Sequence, residues 1–366
     1  MSKFLGESLT RRRALEMLGI GAAAAALSGN VFGEETTFPK GAIIRTILKD
    51  YQPQELAGGA TLFHEHLQLA RDFNQKFFAA AAATREANGL PPAPARGGGA
   101  GRGNATPPPD IMHDVDLMTA EVLKAKQEGN IACIVEAGHP EMGRDINFIR
   151  QVAMKSGVPI VIGGGFYSQP WYPKEISTMS EDQVLKALLK QVDDDVVGAF
   201  GEIGSWDEIS KDERKVFRAV GRAHVETNIP IFTHTGIPGK SAIEQLDIFE
   251  DQGVKPEHVC IGHLGNLVDP NVAVQKTICR RGAFIGFDRQ GNNDTPQVPM
   301  VMALIEAGFA DHLLFSADAS SGYAKTITVF LPKLKAAGAT DEVLHKIMYD
   351  NPRRFLAFIP KRSRKH

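Results

Sequence analysis

Two histidines separated by one residue are the first feature of the chain that could do chemistry. They lie in residues 61–67, whose sequence TLFHEHL reads as a short apolar strand ending in His-x-His. Side chains alternate between the two faces of a strand, so His64 and His66 should share one face. Glu65 should lie on the other face and is interpreted as a structural residue. The pair alone predicts either a metal site, because neutral imidazole is a common ligand of zinc, or a surface strand with solvated histidines.

Four further ionisable groups lie at the ends of other apolar runs. Taken singly, each has an ordinary explanation, such as a core histidine bonded to a carbonyl, a helix cap or a buried ion pair. Their shared position at strand ends, together with the first pair, predicts one metal centre. The four are Glu202 in the run 196–203, His234 at the end of 230–234, His263 after 258–262 and Asp318 after 313–316. The histidines interpreted as structural are His139, His224, His258, His312 and His345.

The number of candidate ligands favours two ions over one. A catalytic zinc usually takes three protein ligands and keeps one position open, which is fewer than this set provides. Glu202 and Asp318 would cancel part of the charge of two divalent ions, and a hydroxide would cancel more. Metal binding lowers the pKa of water from about 15.7 to about 7, so such a centre holds hydroxide at neutral pH.

The elements that must position these residues alternate between two kinds. Short apolar runs read as strands buried on both faces, and segments with helical periodicity separate them. Strands joined by helices pair in parallel, so eight such units predict a (β/α)8 TIM barrel with its metal centre at the C-terminal ends of the strands. A doubly wound open sheet is the alternative, but no Gly-x-Gly-x-x-Gly motif opens a helix here. The predicted strands are 61–66, 131–136, 159–163, 196–203, 230–234, 258–262, 283–287 and 313–316. The predicted helices are 115–128, 145–156, 181–193, 211–227, 241–252, 272–281 and 298–307, followed by 325–337 and 341–349.

Composition excludes several classes of protein. The 366 residues include 43% hydrophobic and 23% charged residues, which is ordinary for a globular chain. A formal net charge of -2 gives no reason to expect nucleic acid or an anionic membrane as partner, so a small-molecule substrate is the expected one. The chain has 3 cysteines, an odd number without close spacing, and this predicts neither a disulfide framework nor a cysteine metal site.

The first 33 residues have the features of a bacterial export signal. A basic stretch at 11–13 precedes a run of Ala, Gly and Leu that continues to about residue 29. The run is too short and too rich in small residues for a membrane span of about 20 residues. The arginines resemble the twin-arginine class of signal, so we predict an exported protein, periplasmic or extracellular, without a stable membrane anchor. The alternative is a frayed amphipathic helix that stays on the protein.

The barrel is predicted over residues 42–358, with a low-complexity insertion at 73–109. Residues 79–83 are a run of alanine, and residues 89–109 consist largely of Pro, Gly, Ala and Arg. Such a segment buries too little apolar surface to offset the entropy cost of ordering it. We therefore predict a helix stub followed by a flexible loop.

As a set, the motifs around these residues resemble the phosphotriesterase family of the amidohydrolase superfamily, whose members are binuclear-metal hydrolases built on a (β/α)8 barrel. The matching stretches follow family order over nearly all of the predicted barrel. They are TLFHEH at 61–66, MGRD at 142–145, GEIG at 201–204, THTG at 233–236, CIGHLG at 260–265, IGFDR at 285–289, FSAD at 315–318 and NPRRFL at 351–356.

The resemblance implies how the ligands are shared between two divalent ions, for which zinc is the expected metal. Many members bridge the ions with a carboxylated lysine. Here Gly201 and Glu202 stand at that place, as in the branch that bridges with glutamate. By position, His64, His66 and Asp318 would hold the more buried ion, and His234 and His263 the more exposed one.

The expected reaction is attack by a metal-bridging hydroxide on an ester-type substrate, with Asp318 accepting the proton. Arg289 resembles the arginine that lactone-cleaving members place beside the pocket. Tyr167, Trp171 and Tyr172 follow the third predicted strand and would form either an apolar wall or ordinary loop packing. We therefore predict a lactone or carboxylic ester as substrate, with a phosphotriester or phosphodiester as the alternative.

A non-catalytic metal-binding protein of the cell envelope is the competing class. Its expected mark is the loss of a ligand, whereas this chain keeps the complete set, including Asp318. A homodimer is the one assembly we consider.

Overall fold

The computed structural model describes residues 36–91, 110–236, 239–267, 269, 271–291 and 294–362. The predicted export signal at 1–33 and the part of the predicted insertion at 92–109 lie outside the described residues. Within those ranges, no helix has both the length and the hydropathy required to cross a membrane.

Eight parallel strands, β3 to β10, form a nearly closed barrel, which confirms the predicted fold class. Each strand pairs with the next one in the chain, as expected when a helix connects consecutive parallel strands. A short antiparallel hairpin, β1 and β2, precedes the barrel. The strands of the described residues are β1 (Ile44–Arg45), β2 (Asp50–Tyr51), β3 (Ala60–Glu65), β4 (Ile131–Glu136), β5 (Ile160–Gly164), β6 (Val197–Ser205), β7 (Ile231–Thr235), β8 (Val259–Ile261), β9 (Phe284–Phe287) and β10 (Leu313–Phe315).

Helices connect the strands. They are α1 (Phe73–Ala87), α2 (Val115–Gly129), α3 (Ile146–Ser156), α4 (Glu181–Asp195), α5 (Lys211–Thr227), α6 (Lys240–Asp251), α7 (Ala273–Arg280), α8 (Asp294–Glu306), α9 (Leu331–Ala336), α10 (Asp341–His345) and α11 (Asn351–Leu356). Helix α8 begins at Asp294 rather than at the predicted residue 298, and it contains Pro299. Pro296 is tolerated in its first turn, where a missing N–H costs no hydrogen bond.

Side chains fix where the outer helices begin. Ser180 accepts a hydrogen bond from the amide of Gln183 while the Gln183 side chain accepts one from the amide of Ser180. Ser210 and Glu213 form the same reciprocal pair at the start of α5. These capping boxes satisfy amides that a helix leaves unpaired, so the loops after β5 and β6 end at defined residues.

The core has two layers. Inside the barrel, one buried cluster includes Phe63, Val161, Phe232 and Leu314, together with the thiols of Cys133 and Cys260. A larger apolar cluster lies between the strands and the surrounding helices. Strands that are buried on both faces are therefore apolar at nearly every position, which is why they could be read as continuous runs.

The first and last strands of the barrel meet where the predicted ligands lie. The amide of Asp318 donates to the carbonyl of His64 at 3.2 Å, and the amide of His66 donates to the carbonyl of Ala319 at 3.0 Å. The amide of His64 also donates to Oγ of Ser316 at 3.0 Å. These bonds join β3 to the segment after β10, and they fix the backbone on both sides of the candidate site.

Candidate metal centre

The structure brings all six predicted ligands together at the C-terminal ends of the barrel strands. Each side chain is buried or nearly so, and Asp318 is the most exposed of them at 12%. His64 lies in β3, His66 directly after β3, Glu202 in β6, His234 in β7, His263 after β8 and Asp318 after β10.

Glu202 stands between the four histidines. Its Oε2 lies 2.7 Å from His234 Nδ1, 3.3 Å from His64 Nε2 and 3.4 Å from His263 Nε2. Its Oε1 lies 3.3 Å from His66 Nε2. One carboxylate therefore faces imidazole nitrogens from two sides, which is the geometry of a ligand shared by two cations.

Two groups of candidate ligands meet at this carboxylate. His64, His66 and Glu202 form one group, and Glu202 forms the other with His234 and His263. In each group, one ligand atom from every residue lies within 4.8 Å of the others. Two groups that share Glu202 are what a pair of bridged ions requires.

Asp318 completes the first group and also contacts a cation. Its Oδ1 lies 3.3 Å from His66 Nε2 and 3.7 Å from His64 Nε2. Its Oδ2 accepts a hydrogen bond from Arg289 Nε at 2.9 Å. The backbone of Asp318, Arg289 and His263 adopts positive φ angles of 47°, 64° and 59°. Such angles are unfavourable for residues other than glycine and occur preferentially at functional sites.

The donor set fits divalent metal ions. Both ring nitrogens of His64 and Nδ1 of His66 are buried and make no well-formed hydrogen bond within the described part of the chain. Carboxylate oxygens lie 3.3 Å from Nε2 and 3.5 Å from Nδ1 of His64, which suits a cation placed between them. A buried polar atom without a partner is costly, and a metal ion relieves that cost at an imidazole nitrogen. The mixture of nitrogen and carboxylate ligands suits zinc and its neighbours in the transition series.

The charges of the cluster balance each other. Burial lowers the pKa of His234 to about 4. It acts in the same direction on His66, but the carboxylates of Asp318 and Glu202 outweigh it and raise the pKa of His66 to about 10. Burial opposes ionisation of Glu202, but His64 and His234 hold the pKa of this carboxyl well below its usual range. Ionised carboxylates are the form that binds a metal, and an incoming ion displaces the protons that they retain on the imidazoles.

Strand β6 presents Glu202 through an irregularity in its pairing. The register between β6 and β7 shifts between Phe200 and Ile203, as in a β-bulge. Gly201 has a φ of 152°, and a Cβ atom there would overlap the ring and the carbonyl of Phe232. Glycine is therefore required directly before Glu202 if the strand is to aim this side chain into the barrel.

Asp288 lies in the site, although its position in the motif at 285–289 predicted no role for it. Its Oδ1 accepts a hydrogen bond from His263 Nδ1 at 2.6 Å, and its Oδ2 accepts one from the His263 amide at 3.1 Å. The ring contact places the proton on Nδ1 of His263 and turns Nε2 towards the other candidate ligands. Nε2 lies 2.7 Å from His234 Nδ1 and 3.4 Å from Glu202 Oε2. Asp288 follows β9 directly, so the strand-end rule that found the other carboxylates applied to it as well.

His139 also contributes, although its loop position favoured a purely structural role. Its Nε2 donates to the backbone carbonyl of Glu202 at 2.9 Å. Burial, with Arg144 nearby, lowers the pKa of His139 to about 3, so the ring is neutral. The contact holds the backbone of Glu202, and the sequence carries no signal for it.

The predicted substrate residues do not all reach the site. Tyr167 is buried, and its Oη lies 3.2 Å from His234 Nδ1. Trp171 packs edge-on against Tyr167, with ring centroids 5.0 Å apart. Arg289 reaches the site through Asp318, as described above. Tyr172 instead packs with the main core, its ring 6.4 Å from Phe166.

Glu65 lies away from the imidazoles and supports the segment that carries Asp318. Its Oε1 accepts hydrogen bonds from Ser316 Oγ and from the amide of Ala317, both at 2.8 Å. Its Oε2 accepts one from the amide of Ala319 at 3.0 Å. The amides on either side of Asp318 are thus bound to one buried carboxylate.

We expect Glu65→Gln to lower the free energy of unfolding by about 2 kcal/mol, because an amide N–H then faces an N–H or O–H donor in a buried site. Urea denaturation measures the change. Glu55→Gln is the matched control, since Glu55 accepts one hydrogen bond, from the Gln52 amide, and is 47% exposed. Equal unfolding midpoints for the two variants would show that Glu65 does not hold the Asp318 segment.

Comparison with known proteins gives the same picture at the level of the whole chain. A sequence model of the phosphotriesterase family matches residues 44–356. The chain is 31% identical over 271 residues to an aryldialkylphosphatase of Saccharolobus solfataricus, covering 65% of this chain and 84% of that protein. It is 24% identical over 351 residues to an N-acetyltaurine hydrolase of Rattus norvegicus, covering 86% and 98% of the two chains.

A solved structure shares the fold. The phosphotriesterase homology protein of Escherichia coli, described with phosphate in its active site, superposes with a TM-score of 0.67. It is 23% identical, and the match covers 82% of this chain and 99% of that one. At this identity the likeness supports the barrel rather than a substrate.

Proposed function

The chain belongs to the phosphotriesterase family of metal-dependent hydrolases, and from that premise we propose that it hydrolyses a lactone or carboxylic ester at a centre of two divalent ions. Zinc is the metal that we propose, because imidazole and carboxylate ligands suit it.

The observation that carries this proposal is the position of Glu202. Its two oxygens face histidines of two ligand groups, and the groups share no other residue. When bound there, a pair of divalent ions supplies hydroxide at neutral pH and polarises the oxygen of the electrophile. Glutamate provides the negative bridge directly, without a modified lysine.

Asp318 is the residue that we assign to proton transfer. It is held at the centre by contacts with His66 and Arg289. Burial opposes its ionisation, but the neighbouring imidazoles and the Arg289 guanidinium keep the pKa of Asp318 below its usual range. Asp318 is therefore ionised, which is the form that a proton acceptor needs. From its contacts we assign to it the transfer of the nucleophile's proton to the leaving oxygen.

Arg289 supports an oxygen ester as the substrate. Its Nε is bonded to Asp318, and a guanidinium has further N–H donors in the same plane. A donor beside the general base can hold the carbonyl or ring oxygen of a lactone as charge develops on it. The named activity of the archaeal relative favours a phosphotriester as the second candidate, and that of the rat relative adds an amide to the substrates worth testing.

We expect chelation to lower turnover by at least about 100-fold and added zinc to restore it, because the protein side chains alone cannot generate hydroxide at neutral pH. The measurement is metal analysis of the purified chain, followed by initial rates with a γ-lactone, a nitrophenyl carboxylic ester, a phosphotriester, a phosphodiester and N-acetyltaurine. A higher kcat/KM for the lactone or carboxylic ester than for either phosphoester supports the proposed substrate class.

Two other outcomes have clear meanings. A preference for the phosphotriester would replace the proposed substrate and leave the metal centre in place. Two bound ions with no turnover of any of these compounds would favour the competing class, a metal-binding protein without catalytic activity.

A further inference from the structure

Helix α1 brings an aromatic side chain to the candidate metal centre. It belongs to the predicted insertion, where a helix stub was expected. Phe73 and Phe77 are spaced one helical turn apart, so they project from the same face. This face packs into an aromatic cluster that also contains Tyr167, Trp171 and Trp206, and the small side chains Ala80 and Ala81 of α1 border it. We call Tyr167, Trp171 and Trp206 the aromatic wall.

Phe77 joins the wall to the centre. Its ring centroid lies 5.8 Å from that of Trp206, 6.2 Å from that of Trp171 and 6.0 Å from that of His234, which it meets edge-on. The guanidinium carbon of Arg289 lies 6.0 Å from the same ring centroid. One side chain of α1 therefore contacts both a proposed metal ligand and the proposed substrate-binding arginine.

The exposure of the site residues differs between the two sides of the centre. His64, Glu202 and His263 are almost fully buried, whereas Asp318 and Arg289 retain 12% and 21% exposure. The centre is therefore open to solvent on the side of Asp318 and Arg289. Phe77 lies over Arg289 and so borders this opening.

The aromatic wall includes a residue at the end of β6, Trp206, whose indole N–H could donate a hydrogen bond. Trp206 follows β6 directly and packs on Gly236, where a Cβ atom would overlap its indole. Its Nε1 is buried and donates to no acceptor within the residues that the structure describes. Aromatic rings bind flat or aliphatic uncharged groups through apolar contact and stacking, with such an N–H as a handle for an oxygen.

We propose that Phe77 determines substrate specificity: its ring closes an apolar subsite, lined by the aromatic wall, that binds the non-reacting group of the substrate and limits its size. The inference rests on the proposed function and adds to it a substrate class, an ester with an uncharged apolar group. Helix α1 supplies the outer side of the subsite.

The first test is a comparison of two esters that share a leaving group. The ratio of kcat/KM for nitrophenyl octanoate to that for nitrophenyl acetate isolates the size of the acyl group. We expect Phe77→Ala to raise this ratio by about tenfold, since apolar pockets discriminate by about this factor per added group. Phe78→Ala is the matched control on the same helix. The Phe78 ring meets that of Phe77 edge-on at 5.9 Å, but it is 46% exposed and outside the aromatic cluster, so its removal should leave the ratio unchanged.

The second test does not depend on catalysis. The chain has 2 tryptophans, and both belong to the aromatic wall, so selectively excited tryptophan fluorescence reports on this subsite. We expect acrylamide to quench the fluorescence of Phe77→Ala more strongly than that of the unsubstituted protein or of Phe78→Ala. If Phe77→Ala does not fold, Phe77→Leu is the substitute, because it keeps an apolar side chain. It should raise the octanoate-to-acetate ratio and the acrylamide quenching by smaller amounts.

The outcomes separate the two proposals. Unchanged ratio and unchanged quenching in Phe77→Ala, or equal changes in Phe78→Ala, overturn the assignment of Phe77. If the unsubstituted protein hydrolyses neither these two esters nor the γ-lactone, the proposed function fails. The quenching comparison then still decides whether Phe77 closes the subsite.

Discussion

Replacing Asp318 by asparagine is expected to lower kcat by about 1000-fold while the barrel stays folded. Asparagine has nearly the same shape, and its amide oxygen can still accept the hydrogen bond that Arg289 Nε donates at 2.9 Å. What the variant loses is a negative charge and the ability to accept a proton. Steady-state kinetics per bound ion, with metal analysis of the same sample, measure the two losses separately.

The geometry explains why a large effect is expected from so small a change. Asp318 contacts His66, which belongs to the first ligand group, and Arg289, the proposed substrate-binding arginine. It is also the most exposed of the six predicted ligands, so it can reach both the nucleophile and an incoming leaving group. A general base must lie within hydrogen-bond reach of the proton that it takes, and no other predicted ligand combines these contacts.

Asp50→Asn is the matched control. Asp50 is also a carboxylate paired with an arginine, since Arg45 Nε lies 3.2 Å from its Oδ1. It belongs to the hairpin at the opposite end of the barrel, where Ile47 donates to the carbonyl of Ile160 at the start of β5. We expect its kcat to stay within about twofold, because surface substitutions away from special features have small effects. If Asp318→Asn loses activity only in proportion to lost metal, Asp318 is a ligand and not the base.

The barrel and the positions of the six candidate ligands could be predicted because both depend on local sequence. A strand buried on both faces is a continuous apolar run, and the ligands follow or end such runs within a few residues. His234 and Asp318 are far apart in the chain, but the rule that carboxyl ends of parallel strands share one face was enough to bring them together. The spacing of His64 and His66 alone did not decide between a metal site and a surface strand.

The residues that support the ligands could not be assigned in this way. Asp288 follows β9 as the other carboxylates follow their strands, and its oxygens accept hydrogen bonds from the amide and the ring of His263. Its Oδ2 also lies 3.5 Å from His64 Nδ1, so these three residues form a further group that could hold a metal. Whether such a carboxylate binds a metal or orients a histidine depends on side-chain direction, which strand-end position does not define. His139 supports Glu202 through a backbone carbonyl, and such a contact is independent of the identity of the residue that accepts it.

The position of α1 depends on contacts between distant segments. Its composition predicts helix, because alanine has the highest helical propensity, but composition does not say what the helix packs against. Phe73 and Phe77 find their partners in the loop after β5 and at the end of β6. Loops carry specificity in this fold, so the least predictable part of the chain is also the part that bears on the substrate.

Replacement of Glu202, the proposed bridging ligand, is the second substitution that we expect to have a large effect on activity. Glu202 has both oxygens turned towards imidazole nitrogens, at 3.3 Å for Oε1 to His66 and 2.7 Å for Oε2 to His234. Glutamine would put an NH2 group at one of these oxygens. That group cannot bind a cation, and its hydrogens would point at nitrogens that need their lone pairs for the metal.

We therefore expect Glu202→Gln to bind one divalent ion per chain instead of two, and to lose turnover by about 100-fold or more. Loss of the negative bridge also removes the charge that screens two cations from each other. Mass-spectrometric metal analysis after dialysis against a weak chelator measures the stoichiometry, and ester hydrolysis by the same sample measures the activity.

Glu213→Gln is the control that separates loss of the bridge from the general cost of changing a buried glutamate. Glu213 is as buried as Glu202, and its Oε2 accepts a hydrogen bond from the Ser210 amide at 2.9 Å. Its Oε1 also accepts a hydrogen bond from the Gln169 amide at 3.3 Å, so glutamine turns an NH2 group towards a buried N–H donor here as well. This position contacts no candidate ligand, so the variant should keep both ions and its activity. If Glu202→Gln also retained two ions, the two ligand groups would have to be held without a shared carboxylate, and the argument for a bridged pair would fail at its central residue.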